Sequence, residues 1–392
     1  MAAVVETRAA SGQTNAGRIA GIDVLHDLTA ADPTWRRLES EDSLASPYQR
    51  FDFLAPWQTE VGQRANLAPF IVTGHDAGHA PLFLLPLVLK QEHGVRTACF
   101  MGGKHTTFNT GLWNREFAAA VTTVDLEMIL ADLRERSLAD VLALGQQPAR
   151  WRGQINPISL LPGQASANDC PVLIMEPAAP PTARISNSFR RRLKVKERKL
   201  QALAGYRYHV AASEAEINRI LDWFFRIKPQ RMAEQKLPNV FAEPGVEAFI
   251  RAACLNPVGG GHAIDIHALE CDAEIIAIFA GVADGERVSM MFNTYTLSEN
   301  ARFSPGLVLM RNIIDYYAER FYRALDLGVG SDEYKRLFCK EDEPIFDCYI
   351  PLSARGRLAA AAMSGVNRAK HLVKHNPALL QMAQRLRSAF QR

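Results

Sequence analysis

Arg302, Ser304 and Gly306 stand at the end of the run Phe292-Asn-Thr-Tyr-Thr-Leu-Ser-Glu-Asn-Ala-Arg-Phe-Ser-Pro-Gly306, directly before a stretch with helical spacing from Leu307 to Phe321. Ser304 can cap a first turn, Pro305 suits the first helical position, and Gly306 leaves backbone N–H groups open to a close ligand. An anion there would meet free donors and the positive end of a helix dipole, with the charge of Arg302 nearby. The same residues also make an ordinary Ser-Pro helix start, so the surrounding elements have to decide between the two.

The helix is read from Leu307, Met310, Ile314, Tyr317 and Phe321, which recur at steps of three and four, with Arg311, Asn312, Asp315 and Glu319 on the polar side. Before it, Ala263–Glu270, Glu274–Val282 and Arg287–Thr296 read as an antiparallel meander broken at Cys271-Asp272 and Asp284-Gly285, and Ala324–Gly328 follows as a further strand. The order is β-β-β-α-β. It recurs earlier, with strands at 69–73, 81–90 and 96–101, a helix from Val124 to Arg136, and a strand from Ala139 to Gly145. Only the later copy has the Ser-Pro-Gly turn; the earlier one has Gly102-Gly-Lys-His-Thr-Thr-Phe-Asn109, which lacks the spacing of a nucleotide-binding P-loop. A single anion seat is expected, in the second copy.

A chain of 392 residues that is 48% hydrophobic suits about two globular domains. The net charge of +3 gives no overall footprint of a nucleic-acid binder. Six scattered cysteines without a C-x-x-C pair give neither a zinc nor a disulfide framework and fit a reduced, cytoplasmic setting. No metal is expected: His75/His79 lack a third ligand, and His371/His375, among Arg368, Lys370 and Lys374, read as a solvated basic face. Residues 1–18 read as a loose tail, 19–175 as the first domain, 176–183 as a proline-rich linker and 184–352 as the second domain. Residues 353–392 read as a basic tail of two short helices divided at Asn376-Pro377, which can meet an anionic membrane peripherally or pack on the second domain.

From Arg184 to Lys199 eight cations face one acid, Glu197. Phe189, Leu193, Lys196 and Leu200 give this block one narrow apolar face as a helix. Aromatic interleaving is missing, so no DNA partner is expected and a phosphate-bearing or otherwise anionic substrate is the simpler reading. With this block, Lys228-Pro-Gln-Arg-Met232, Asn239-Val-Phe241, Asn293-x-Tyr295, Phe303-Ser-Pro-Gly-Leu307, Asp326-Leu-Gly328 and Tyr334-Lys335 together resemble the CelD-like branch of the GNAT acyltransferases, with Fem-type peptidyltransferases as more distant relatives. No one of these motifs is specific; their order and spacing carry the resemblance, which spans about residues 20 to 350.

The resemblance implies an α+β fold of tandem GNAT-like domains, each a mostly antiparallel sheet flanked by helices. It also implies acetyl-CoA or another acyl-CoA as cosubstrate, bound by the second copy at Arg302, Ser304, Gly306 and Leu307. The acceptor would be an amine or hydroxyl on a sugar or an exopolysaccharide precursor. Such an enzyme aligns a nucleophile with the thioester, removes its proton, stabilises the oxyanion and protonates the thiolate. Asp326 and Tyr334 are the candidates for proton handling, along with Asp332 and Glu333, and Lys335 for an electrostatic clamp. Asn293, Tyr295, Arg191 and Arg231 are candidates for lining the substrate channel. Asp326 can equally be a buried brace, and Tyr334 a packing residue. A non-catalytic scaffold with this fold, or aminoacyl transfer from tRNA, stay open beside the enzyme reading.

Overall fold

A computed structural model of the chain describes residues 5–9, 18–40, 43–176, 179–330 and 332–376. Most of the expected N-terminal tail and the second half of the expected C-terminal tail lie outside these residues. The chain divides into two compact units, one of residues 1–51, 65–169 and 343–392, the other of 52–64 and 170–342.

In the first unit, β1 (Gly21–Leu25), β2 (Ala68–His75), β3 (Pro81–Glu92) and β4 (Val95–Phe100) pair antiparallel in that order. The helix α1 (Thr123–Arg136) then crosses over, and β5 (Val141–Pro148) returns parallel to β4. Leu126, Ile129, Leu130 and Leu133 form the buried stripe of α1. Two prolines do not push β3 to an edge. On one side it pairs first with Leu112–Asn114 and then, from Leu87 on, with β4; Pro86 lies where the partner changes, so its missing N–H costs the ladder nothing.

The second unit repeats this plan. It runs through β6 (Cys170–Ile174), α2 (Asn187–Leu200), β7 (Arg207–Val210) and α3 (Glu214–Glu234) to the meander β8 (Asp265–Glu270), β9 (Ile275–Ala283), β10 (Arg287–Tyr295). There follow α4 (Pro305–Ala318), β11 (Ala324–Asp326) and the short α5 (Glu333–Phe338). β11 lies parallel to β10, as β5 does to β4, and β6 pairs antiparallel on its far side. Val308, Leu309, Ile313, Ile314 and Tyr317 of α4 pack with Ile276, Val288 and Leu325 in the core. Residues 52–64 belong here, where the sequence had put them in the first domain. Phe53 packs edge-on against Phe249 at 5.3 Å, and Asn256 Nδ2 donates to Asp52 O at 3.1 Å.

The chain's end also differs from expectation. β12 (Ile345–Pro351) pairs antiparallel with β5, and α6 (Ala354–His375) is one helix of 22 residues on the first unit, where a tail on or beyond the second domain was expected. Packing explains why. A Cβ at Gly356 would lie 1.7 Å from Asp140 O, so only glycine lets α6 approach that backbone. Further along, Ser364 Oγ donates to Gln164 Oε1 at 2.7 Å and Asn367 Nδ2 to Ala165 O at 3.2 Å. His371 and His375, expected on a solvated face, contact Ser166 O and Asp169 at 3.0 Å.

Candidate functional site

The two helices at equivalent places in the repeat start in opposite ways. Thr122 caps α1, and the Asp125 carboxylate returns to accept from Thr122 N at 2.8 Å, a capping box that puts a fixed negative charge on that helix end. α4 has no side-chain cap and no acid in its first turn. Ser304 is not the cap that the sequence suggests. It sits in the left-handed region at φ 51°, and its Oγ accepts from Lys196 Nζ of α2 at 2.6 Å. Leu307 and Val308 N–H both turn back on Ser304 O, at 3.0 and 3.2 Å. A Cβ on Gly306 would meet only Tyr295 Cδ1, at an ordinary 3.8 Å, so the space above this first turn is open.

The loop leading to this turn is braced by a residue that the sequence reading passed over. Glu274, at the start of β9, accepts from Ser298 Oγ and Asn300 Nδ2, both at 2.7 Å, and from Thr296 Oγ1. Three neutral donors spaced over five residues thus converge on one carboxylate. Arg302 is exposed, pairs loosely with Glu299 at 3.7 Å and lies over Phe303.

Beside the seat, β10 outruns its parallel partner. Among the described residues β11 pairs only with Arg287, Val288 and Ser289, so the stretch from Met290 to Tyr295 faces no described strand on that side. Thr296 N donates to Ile276 O, which sets the phase of the β9–β10 ladder. Asn293 and Tyr295, an odd number of residues away, therefore turn their backbone groups from β9 toward the open side. Two cations of α3 take their carbonyls: Lys228 Nζ donates to Asn293 O at 2.9 Å and Arg231 Nε to Tyr295 O at 3.4 Å. What this edge offers a ligand is N–H. A register shift between Ala280 and Gly281, opposite Met291, bends the strand there.

Of the residues expected to line or catalyse, Asn293, Tyr295, Gly306 and Tyr334 come together. Asn293 Nδ2 lies 3.5 Å from the Tyr334 hydroxyl, which burial pushes up to about 12, so it is a proton donor at neutral pH. Others have different work. Asp326 is wholly buried and accepts from Arg287 Nε at 2.9 Å, Ser289 Oγ at 2.6 Å and Gly328 N at 3.1 Å; it is a brace with no face toward the cleft. Lys335 is buried too, its Nζ donating to Gly328 O and Val329 O at 3.1 and 3.0 Å, so it fastens the loop after β11 and clamps no ligand. The Arg231 guanidinium is spent on Tyr295 O, Thr296 O and Glu234, and lies 4.0 Å over the Tyr295 ring. Asp332 and Glu333 are exposed at the start of α5.

The basic block is divided between two tasks. Arg190 forms a two-pronged pair with Asp315, while the buried Glu197 accepts from Arg311 Nη2 at 2.5 Å and Asn312 Nδ2 at 2.9 Å. The polar side of α4 therefore faces α2 instead of water. Arg191, Arg192, Lys194, Arg198 and Lys199 stay exposed, and no carboxylate pairs with them among the described residues. Elsewhere, His209, Glu216 and Glu270 stand close enough for a metal, but Arg207 and Arg219 already donate to Glu270 at 2.7 and 2.8 Å, and the group is an ion-pair network.

The family model for the acetyltransferase (GNAT) domain matches residues 187–336, the part of the second unit that holds this site. A search of curated proteins finds no match. Among solved structures, a C-terminal domain (DUF2156) from Agrobacterium fabrum named for lysylphosphatidylglycerol synthetase superposes with a TM-score of 0.52 at 10% identity, over 88% of this chain and 96% of that one. FemX does so with 0.52 at 8% identity, over 81% and 95%. A conserved protein of unknown function from Bacteroides thetaiotaomicron gives 0.50 at 11%, over 84% and 99%. Identities this low show the fold alone, and that fold is α+β, a tandem of GNAT-like units.

Proposed function

We propose that the second unit is an acyl-CoA-dependent N- or O-acyltransferase, most simply an acetyltransferase, acting on an amine or hydroxyl of a sugar or cell-envelope polysaccharide precursor. The observation that carries this reading is the contrast between helix starts: α1 fills its own N-terminus with Asp125, while α4 leaves an uncapped first turn beside the unpaired edge of β10. A pyrophosphate suits a helix start only where no carboxylate has taken it, which holds for α4. A pantetheine arm, which carries amides, suits an open strand edge.

In this reading the donor's phosphates rest on the Gly306 N–H and the positive end of α4, the Leu307 N–H being held by Ser304 O, with Lys196 and Arg302 adding charge, and the thioester lies along Asn293 and Tyr295. The acceptor's lone pair attacks the thioester carbon, the new C–N or C–O bond forms, and the oxyanion is held by backbone N–H of the β10 edge. As the C–S bond breaks, the Tyr334 hydroxyl is placed to protonate the thiolate. The acceptor's own proton leaves to solvent.

Calorimetric titration with acetyl-CoA tests the seat. Saturable binding by the unaltered chain, lost in Gly306→Leu, is expected. A Cβ there meets only Tyr295 Cδ1, at 3.8 Å, so with unchanged circular dichroism the loss would report exclusion of the ligand; equal affinities would remove the seat from this turn. The exposed cations of α2 favour a second reading, in which a larger polyanion such as an aminoacyl-tRNA is the donor. Absence of acyl-CoA binding together with acyl transfer from a charged tRNA would select it. Binding of neither donor would leave the scaffold reading.

A further inference from the structure

The outward face of α6 is apolar. Leu358, Ala362, Val366, Ala369 and Leu372 recur at steps of four and three, and all are exposed, Leu358 by 79%, Val366 by 53% and Leu372 by 63%. The opposite face, with Gly356, Ala360 and Asn367, is the one packed on the first unit's sheet. At 100° per residue Arg357 and Arg368 border the apolar stripe on one side and Lys370 on the other, all exposed. A helix docked on a protein normally turns its polar side to water; here, from Leu358 to Leu372, the polar residues edge an apolar strip, and the one cation in line with it is Arg355 in the first turn, also exposed. Gly365, within the strip, has open space where a side chain would be, so nothing among the described residues covers it there.

We infer that α6 is a docking face for an anionic lipid surface, lying in the plane of the headgroups with its apolar strip inserted and its cations on the phosphates. Charge selects this occupant. Between Cys348 and Arg392 there is no Asp or Glu, and α6 alone carries five Lys and Arg. The remaining segment, 377–392, has apolar residues that could cover the strip, but it also brings Arg385, Arg387 and Arg392, and a second copy of α6 would bring five more cations. Either cover sets like charges against each other, whereas an anionic membrane neutralises them while burying the strip. A tRNA or other polyanion would satisfy the cations and leave Leu358, Val366 and Leu372 in water. No helix among the described residues is long and apolar enough to cross a membrane, so attachment here is to one face of it.

The test uses the full chain with vesicles of phosphatidylcholine, with and without phosphatidylglycerol, in a cosedimentation assay. Binding is expected only to the anionic vesicles and should weaken as salt is raised. The double variant Val366→Asp/Leu372→Asp and the variant Arg357→Glu/Lys370→Glu should each bind roughly tenfold or more weakly, with unchanged circular dichroism because all four sites are exposed. Failure of the unaltered chain to bind anionic vesicles would overturn the inference. So would binding that survives the strip substitutions and is lost on Arg385→Glu/Arg387→Glu, which would assign the contact to the terminal segment. A chain that is dimeric in solution and becomes monomeric with Val366→Asp/Leu372→Asp, without vesicle binding, would give the strip to a second copy.

Discussion

Lys196 Nζ donates to Ser304 Oγ at 2.6 Å, which ties the basic helix α2 to the first turn of α4. The contact does two things: it holds Ser304 in a left-handed conformation, uncommon outside glycine, and it brings a cation to the one helix start in the repeat that lacks an acid. Lys196→Met keeps the stem and removes the charge. Acyl-CoA binding should weaken by about three- to tenfold, in line with one partly buried cation at a helix N-terminus. Titration calorimetry at low and high salt measures it, and the deficit should shrink at high salt.

Tyr334 and Asn293 meet across the cleft at 3.5 Å, from α5 and β10. With its hydroxyl pushed up to about 12 by burial, Tyr334 keeps its proton through any ordinary assay range. Tyr334→Phe should therefore lower kcat by about ten- to a hundredfold with little change in KM for the acyl donor. Steady-state kinetics separate the two constants; a change confined to KM would make the ring a packing group only.

Asp326 sits where a catalytic acid would be sought, at a strand end beside glycine, yet its bonds are all internal. Removing the carboxylate in Asp326→Ala leaves the Arg287 guanidinium buried without its partner, at a cost of about 3–5 kcal/mol. Urea unfolding followed by circular dichroism should show that loss in the midpoint. A variant of native stability that has lost all turnover would instead make Asp326 part of the chemistry.

The β-β-β-α-β repeat was legible in the sequence because alternating strands and a three-four helical stripe leave periodic traces, and each strand read in it falls within a few residues of its expected place, while β1, β6 and β7 were not read as strands. Pairing between distant segments leaves no such trace. β12 joins β5 some two hundred residues away in the chain, so residues 345–375 read as the end of the second domain and a tail, although Gly356 marks a close approach. In the site, the Ser304-Pro-Gly turn is read from residue type and spacing, and Tyr295 and Tyr334 from the family resemblance. The charges mislead: Arg311, Asp315, Asp326 and Lys335 are the kinds of residue expected in water or at a ligand, and each is engaged inside the protein. Thr122-x-x-Asp125 is a readable capping signal that, compared with Ser304-Pro-Gly, would already have separated the two helix starts.

His267 lies buried between two hydroxyls, Tyr208 at 2.9 Å on Nδ1 and Tyr317 at 3.0 Å on Nε2. A neutral ring can donate to one and accept from the other, while an imidazolium would stand charged in a dry site. Burial, with Arg320 adding repulsion, lowers the group from its usual 6.5 to about 3. The unfolded chain then takes up this proton first as pH falls. Stability from this group is intact above pH 6.5 and drains away between there and pH 3, by about 1.4 kcal/mol per pH unit inside that window. His267→Gln, which keeps a donor and an acceptor and cannot titrate, should start less stable at pH 7.5 and lose less than the unaltered protein on going to pH 5. Urea midpoints for both proteins at the two pH values give the comparison, and parallel losses would mean that the ring is charged in the folded state.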